Sequence, residues 1–147
     1  MVAMALEIER KFLVIGDEWR AGCEGQRFCQ GYLARGDGVT VRVRRAGLRA
    51  YLTIKGKPNG ITRPEFEYEV PVEEAEAMLN HLCDRPLIEK TRFEVTHVGV
   101  VWEVDEFQGD NAGLIVAEVE LDHPDQPFTK PPYRSRPSRE GINVHLA

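Results

Sequence analysis

Hydrophobic and polar positions alternate along most of this chain, and a period of two predicts strands rather than helices. Segment 39–45 shows it most clearly: Val39, Val41 and Val43 fall on one face, Thr40, Arg42 and Arg44 on the other. The same alternation predicts strands over 6–15, 26–35, 48–55, 61–70, 87–97, 100–107 and 114–121. Turn residues separate them, among them Gly16-Asp17, Gly36-Asp37-Gly38, Ala46-Gly47, Pro58-Asn59-Gly60 and Val98-Gly99. One stretch breaks the period. After Pro71, Val72, Ala75, Met78, Leu79 and Leu82 recur at helical spacing, with Glu73, Glu74 and Glu76 early, where the helix dipole favours acids. Pro71 suits the first helical position, and Asp17 suits the cap of a short turn over 18–21. Residues 1–5 are expected to fray. From His123 onward the prolines predict an irregular tail over 122–147.

The polar faces of these strands are unusual. On 6–15, Glu7, Glu9 and Lys11 point one way while Leu6, Ile8, Phe12 and Val14 point the other. Charged or polar same-face sets return at Arg42/Arg44, Thr53/Lys55, Glu65/Glu67/Glu69, Lys90/Arg92 and Glu118/Glu120. About eight strands joined by short turns form an antiparallel meander. With one charged and one apolar face, closure into a barrel is favoured over a sandwich, which would have to desolvate opposed charges. The expectation is therefore a single, mainly β domain over 1–147, a closed antiparallel barrel of about eight strands with a few flanking helices. Its apolar outer face exceeds what one helix covers, so a homodimer is expected as well.

Composition narrows the function. The 147 residues are 42% hydrophobic and 29% charged, and the net charge of -5 argues against a general nucleic-acid binder. No apolar run approaches the ~20 residues that span a bilayer, and no basic-then-apolar leader is evident. Cys23, Cys29 and Cys83 are odd in number and lack CxxC spacing, which points away from a disulfide framework or zinc site and towards a reduced, cytoplasmic location. The four histidines show no metal-binding spacing. Placed inside, the bases Lys11, Arg42, Arg44, Lys55, Lys90 and Arg92 face the acids Glu7, Glu9, Glu65, Glu67, Asp105, Glu118 and Glu120. The two sets nearly balance, so the interior alone attracts a polyanion weakly. Clustered carboxylates are hard-oxygen ligands for Mg²⁺ or Mn²⁺, and Arg and Lys supply donors for phosphate oxygens. Metal plus polyphosphate fits this mixture better than either alone. Singly, each charged pair is better read as a solvated strand face. Tyr32 reads equally well as a packed aromatic or as a hydroxyl reaching the site, and Trp19 and Trp102 read as packing.

Glu7-x-Glu9-x-Lys11 resembles the ExExK signature of the CYTH family, the triphosphate tunnel metalloenzymes. That family includes class IV adenylate cyclases, thiamine triphosphatases and bacterial inorganic triphosphatases. Further matches follow in family order: Val41-Arg42-Val43-Arg44, Thr53-Ile54-Lys55-Gly56, Arg63-x-Glu65-x-Glu67, Glu89-Lys90-x-Arg92, Trp102-Glu103-Val104-Asp105-x-Phe107 and Ala117-Glu118-Val119-Glu120-Leu121. Together they cover residues 6 to 121. The resemblance implies an antiparallel tunnel that binds a small-molecule polyphosphate through Mg²⁺ or Mn²⁺. It implies metal ligation by Glu7, Glu9, Glu67, Asp105, Glu118 and Glu120. Phosphate binding would fall to Lys11, Arg42, Arg44, Lys55, Lys90 and Arg92, and catalysis centres on Lys11, Glu7 and Glu9. The expected reaction is hydrolysis of inorganic triphosphate to pyrophosphate and phosphate. Thiamine triphosphatase and adenylate cyclase activities remain open as alternatives, as does a non-catalytic polyphosphate sensor. Short bacterial members commonly carry a Trp-containing helical segment in the tail. Here Asn143 and Leu146-Ala147 remain, but no Trp or Tyr follows Tyr133.

Overall fold

The computed structural model describes residues 5–20, 22–130 and, for the backbone, 135–137. The expected features at Tyr133, Asn143, His145 and Leu146-Ala147, and the fraying of the first four residues, lie outside the described residues. The strands are β1 (Leu6–Val14), β2 (Gly25–Gly36), β3 (Val39–Ala46), β4 (Arg49–Gly56), β5 (Thr62–Val70), β6 (Ile88–His97), β7 (Val100–Phe107), β8 (Ile115–Glu120) and β9 (Ser135–Pro137). A helix, α1 (Val72–His81), follows β5, and two single 3-10 turns cover Glu18–Arg20 and Gly109–Asn111. Every pairing is antiparallel.

The sheet is not the closed eight-stranded barrel expected from the sequence. Nine strands run in the order β5-β4-β3-β2-β6-β7-β8-β1-β9. β5 meets β1 only through the short register Leu6↔Pro64, Glu7↔Arg63 and Ile8↔Thr62, apart from the main ladder. The far end of β1, Phe12–Val14, pairs with β9 instead. Hydrogen bonds flank this register, from the Glu65 N–H to the Ala5 carbonyl at 3.0 Å and from the Glu9 N–H to the Ile61 carbonyl at 3.3 Å, and the edge of β1 farther on is taken up by the tail. The sheet therefore curls until its ends touch over part of their length, without a continuous closing ladder. β9 also corrects the expectation of a wholly irregular tail.

α1 begins one residue later than expected, with Pro71 as its cap at φ -59 and ψ 139. Ala75 and Leu79 are buried against Val43 and Ala50 on the outer face of β3 and β4. Leu82, expected on that apolar stripe, lies beyond the last turn and is exposed. A second outer cluster lies behind β1, β6, β7 and β8, built on Phe12, Phe93, Trp102, Val104 and Val119. Trp19 from the first 3-10 turn and Phe128 from the loop after β8 cover it, with ring centroids 5.0 Å from Phe93 and 5.9 Å from Trp102. This cover takes part of the apolar outer surface out of solvent. Among the described residues no helix is long and apolar enough to cross a membrane.

The inward face is not charged throughout. Leu13 and Phe107 follow, and Ile88 and Val116 precede, the inward charged positions of their strands, and the four pack together with Tyr32 against them. They form an apolar floor at one end of the interior.

The loop after α1 is tied to β2: the Asp84 N–H donates to the Tyr32 carbonyl at 2.9 Å. Gly31 allows that approach, since a Cβ there would lie 2.7 Å from Leu87 Cδ2 and 2.9 Å from Cys83 Cβ. Gly31→Val is expected to overpack this contact and lower stability by ~1–3 kcal/mol. Chemical denaturation checks it, and an unchanged midpoint would contradict the packing argument.

Candidate active site

The concave face encloses a cavity of about 460 Å³, lined by seven bases and seven carboxylates. Every sequence-predicted site residue except Asp105 is on its wall. Period-two alternation puts these side chains there, and the ladders set their order.

The acidic side is built by β1, β7 and β8. Glu9 stands opposite Glu120, Lys11 opposite Glu118, and Glu103 opposite Glu118. Lys11 Nζ lies 3.4 Å from Glu9 Oε1 and 3.8 Å from Glu118 Oε1. Burial opposes the charge of Lys11, yet Glu118 and Glu9 hold its pKa above the ordinary value. Burial and the neighbouring Glu9 push the Glu118 carboxyl up, and burial with Glu103 and Glu9 does the same to Glu120. Glu7, buried, lies 2.8 Å from Lys55 Nζ, which also reaches Glu65 at 3.5 Å. Burial outweighs the pull of Glu7 and Glu9 and leaves the Lys55 pKa below its usual value. Among the described residues no three Asp, Glu, His or Cys side chains stand together as a ready cage for a metal. The donors nonetheless suit a divalent cation. They are hard carboxylate oxygens whose mutual repulsion Lys11, Lys55 and Arg92 relieve only in part, since Glu118 and Glu120 stay pushed up, so a cation there has charge to neutralise.

The basic side is built by β3 and β6 with β4 and β5 beside them. Arg42 reaches the Thr53 hydroxyl at 3.4 Å, and that hydroxyl donates to Glu67 Oε2 at 2.8 Å. Arg44 donates to the Gln30 amide oxygen at 3.1 Å. Burial, with Arg42 and Arg92 nearby, lowers the Arg44 pKa to about 9. Lys90 and Arg92 are anchored from beneath by Asp105. Lys90 Nζ donates to Oδ2 at 2.7 Å, and Arg92 donates to both oxygens at 2.7 and 2.8 Å. Arg92 also reaches Glu103 at 3.0 Å. Burial lowers the Lys90 pKa to about 8 despite Asp105. Burial opposes charge on Asp105 as well, but hydrogen bonds from Arg92 and the charge of Lys90 hold its carboxyl well below the carboxylate range.

Asp105 was expected among the metal ligands; the structure buries it at 1% exposure with both oxygens already accepting from bases. Glu103, on the same face of β7, takes the exposed position on the wall instead. The sequence carried a signal for it, the i, i+2 spacing of Glu103 and Asp105. Arg63 lines the wall too, signalled by its alternation with Glu65 and Glu67. Gln30 was not singled out, and an uncharged residue on a charged face gives little to find it by. Tyr32 both lines the cavity and packs on the floor. Among the described residues no histidine lines the cavity.

A curled antiparallel sheet whose cavity interleaves carboxylates with buried guanidinium and ammonium groups defines a protein suited to a polyanion taken up together with a cation. The CYTH domain model matches residues 5–132, and the chain belongs to that family. An inorganic triphosphatase of Acetivibrio thermocellus is 45% identical over 133 residues, covering 90% of this chain and 85% of that protein. An inorganic triphosphatase of Nitrosomonas europaea is 33% identical over 135 residues, covering 86% and 85%. Among solved structures, that of the inorganic triphosphatase NE1496 superposes with a TM-score of 0.63 at 30% identity, over 92% of this chain and 91% of that one. The putative adenylyl cyclase HpAC1 of Hippeastrum, with a TM-score of 0.61 at 13% identity over 80% of each chain, shares the fold.

Asp105→Asn is expected to leave two buried cations underpaired and to lower stability by ~3 kcal/mol at about pH 7. The native carboxyl has a depressed pKa, so its contribution is present above the unfolded value of about 3.9 and lost as pH falls through the native value. Urea denaturation should show the gap between the proteins narrowing below about pH 4. A gap unchanged down to about pH 3 would contradict the assignment.

Proposed function

We propose that this protein hydrolyses inorganic triphosphate to pyrophosphate and phosphate in a divalent-metal-dependent reaction, with Mg²⁺ or Mn²⁺ as the ion. One observation carries the reading. A cavity with equal numbers of carboxylates and bases lies in a chain 45% identical to an inorganic triphosphatase. Equal charges give little pull on a bare polyanion, but they suit a polyanion that arrives with its counter-cation.

Glu9, Glu118 and Glu120, with Glu7 and Glu67, would hold the ion; Asp105 serves this reading as the anchor of Lys90 and Arg92. When bound, the ion would supply charge neutralisation at substrate oxygens and a more acidic water. The chain does the rest by position. Arg42, Arg44, Lys55, Lys90 and Arg92 donate to the equatorial and bridging oxygens, where charge builds in the loose transition state of phosphoryl transfer. Lys11, charged at neutral pH because Glu118 and Glu9 hold its proton, stands between the acids and is placed to donate to the departing pyrophosphate. Tyr32, Phe107 and Val116 close one end of the space without donors or acceptors for a further charged group, apart from the tyrosine hydroxyl.

Phosphate release is the direct test, with inorganic triphosphate, ATP and thiamine triphosphate compared in Mg²⁺, Mn²⁺ and chelator. The expected result is rapid, metal-dependent release from inorganic triphosphate. Lys11→Ala is expected to lower kcat by ~100-fold while shifting the unfolding free energy by under ~1 kcal/mol, since its ion pairs are partly exposed. No release from inorganic triphosphate, or conversion of ATP to a cyclic nucleotide, would overturn the reading.

A further inference from the structure

β2 lies between the two strands that carry the buried cations, β3 and β6. Its inward positions bear no charge: Phe28, Gln30 and Tyr32 alternate onto the interior face ahead of a bulge at Tyr32/Ala34. Phe28 is 7% exposed and sits behind the cavity wall. Three cations lie over its ring: Arg44 at 5.0 Å from the centroid, Arg92 at 4.9 Å and Lys90 at 5.8 Å. Lys90 and Arg92 already share Asp105, but among the described residues Arg44 forms no ion pair. Its hydrogen-bond partner is the neutral amide oxygen of Gln30.

Three like charges held this close repel one another, and something must fix them. A second carboxylate at this point would do so by cancelling the charge that an anionic ligand needs. The negative face of an aromatic ring attracts cations and carries no net charge. We propose that Phe28 is a positioning residue, holding Arg44, Lys90 and Arg92 by cation–π contact and leaving the charge of Arg44 for the phosphoryl oxygens of the substrate. The inference rests on the triphosphatase reading above. It assigns Phe28 a role that burial of an apolar side chain does not require, because Leu fills most of the same space without the quadrupole.

The test separates the ring's electrostatics from its bulk. Phe28 is replaced by mono-, di- and trifluorophenylalanine, which keep the shape and progressively weaken the negative face, and separately by Tyr and Leu. KM and kcat for inorganic triphosphate are measured with Mg²⁺, together with calorimetric affinity for the same ligand. The expected result is a graded rise in KM and Kd with each added fluorine and a Tyr variant close to wild type. Phe28→Leu should raise KM by about tenfold, with a far smaller change in kcat. Flat KM and Kd across the fluorinated series would overturn the proposal, even if Phe28→Leu misfolds. A wild-type protein that binds inorganic triphosphate without hydrolysing it would remove the triphosphatase reading, and the graded affinities would still decide the role of Phe28. Absence of binding by wild type would overturn both.

Discussion

Seven cationic side chains share one cavity wall, and their mutual repulsion is the constraint on which the rest of the structure depends. Buried cations are costly unless each has a partner. The fold meets that requirement in three ways. Asp105, placed beneath the wall, accepts from Lys90 and Arg92 and so holds two cations with one carboxylate. Neutral acceptors serve Arg42 and Arg44 through Thr53 and Gln30. Glu7 and Glu9 pair with Lys55 and Lys11 across the cavity's acidic side. Arg42 and Arg44, held by neutral groups, keep their full charge, whereas Lys11, Lys55, Lys90 and Arg92 share theirs with carboxylates. In the proposed function the bases serve phosphate and the carboxylates left on the wall serve a divalent cation.

β1 ties these regions together. Its inward residues run from Glu7 through Glu9 and Lys11 to Leu13, from acid to base to apolar floor. Its outward residues Phe12 and Val14 belong to the buried cluster under Trp19 and Phe128. The strand is shared in turn by β5, β8 and β9. Its backbone is therefore fixed by neighbours along its length, and Lys11 is carried on a strand whose other face is packed with aromatic rings. The role proposed for Lys11 gains from such a support, because positioning errors of about 1 Å cost rate steeply.

Much of this was legible in the sequence because strand alternation is a local property. Val39 to Arg44 announces which side chains face inward without reference to any other part of the chain, and so do Lys90 with Arg92 and Glu118 with Glu120. What stayed hidden depends on who stands opposite whom. Asp105 and Glu103 share a face, but only the register of β6 against β7 decides which lies under Arg92 and which stays on the wall. The change from charged to apolar at Leu13, Ile88, Phe107 and Val116 is present in the sequence as single residues, and it becomes a floor only when four strands align. Closure was overread for a similar reason. A charged face shows that the sheet must curl, but how much of the β1 edge goes to β5 and how much to the tail strand is a matter of register that alternation does not reveal.

The central claim is that this interior takes up triphosphate together with a divalent ion and holds neither strongly alone. Equilibrium calorimetry of inorganic triphosphate with the Lys11→Ala variant, expected to turn it over about a hundredfold more slowly, tests this most directly when run with Mg²⁺ and again with chelator. The account predicts affinity in the presence of Mg²⁺ that falls by at least about a hundredfold, roughly 2.7 kcal/mol, when the ion is removed. Equal affinity with and without the ion would show that the bases alone bind the polyanion and would contradict the role assigned to the acids.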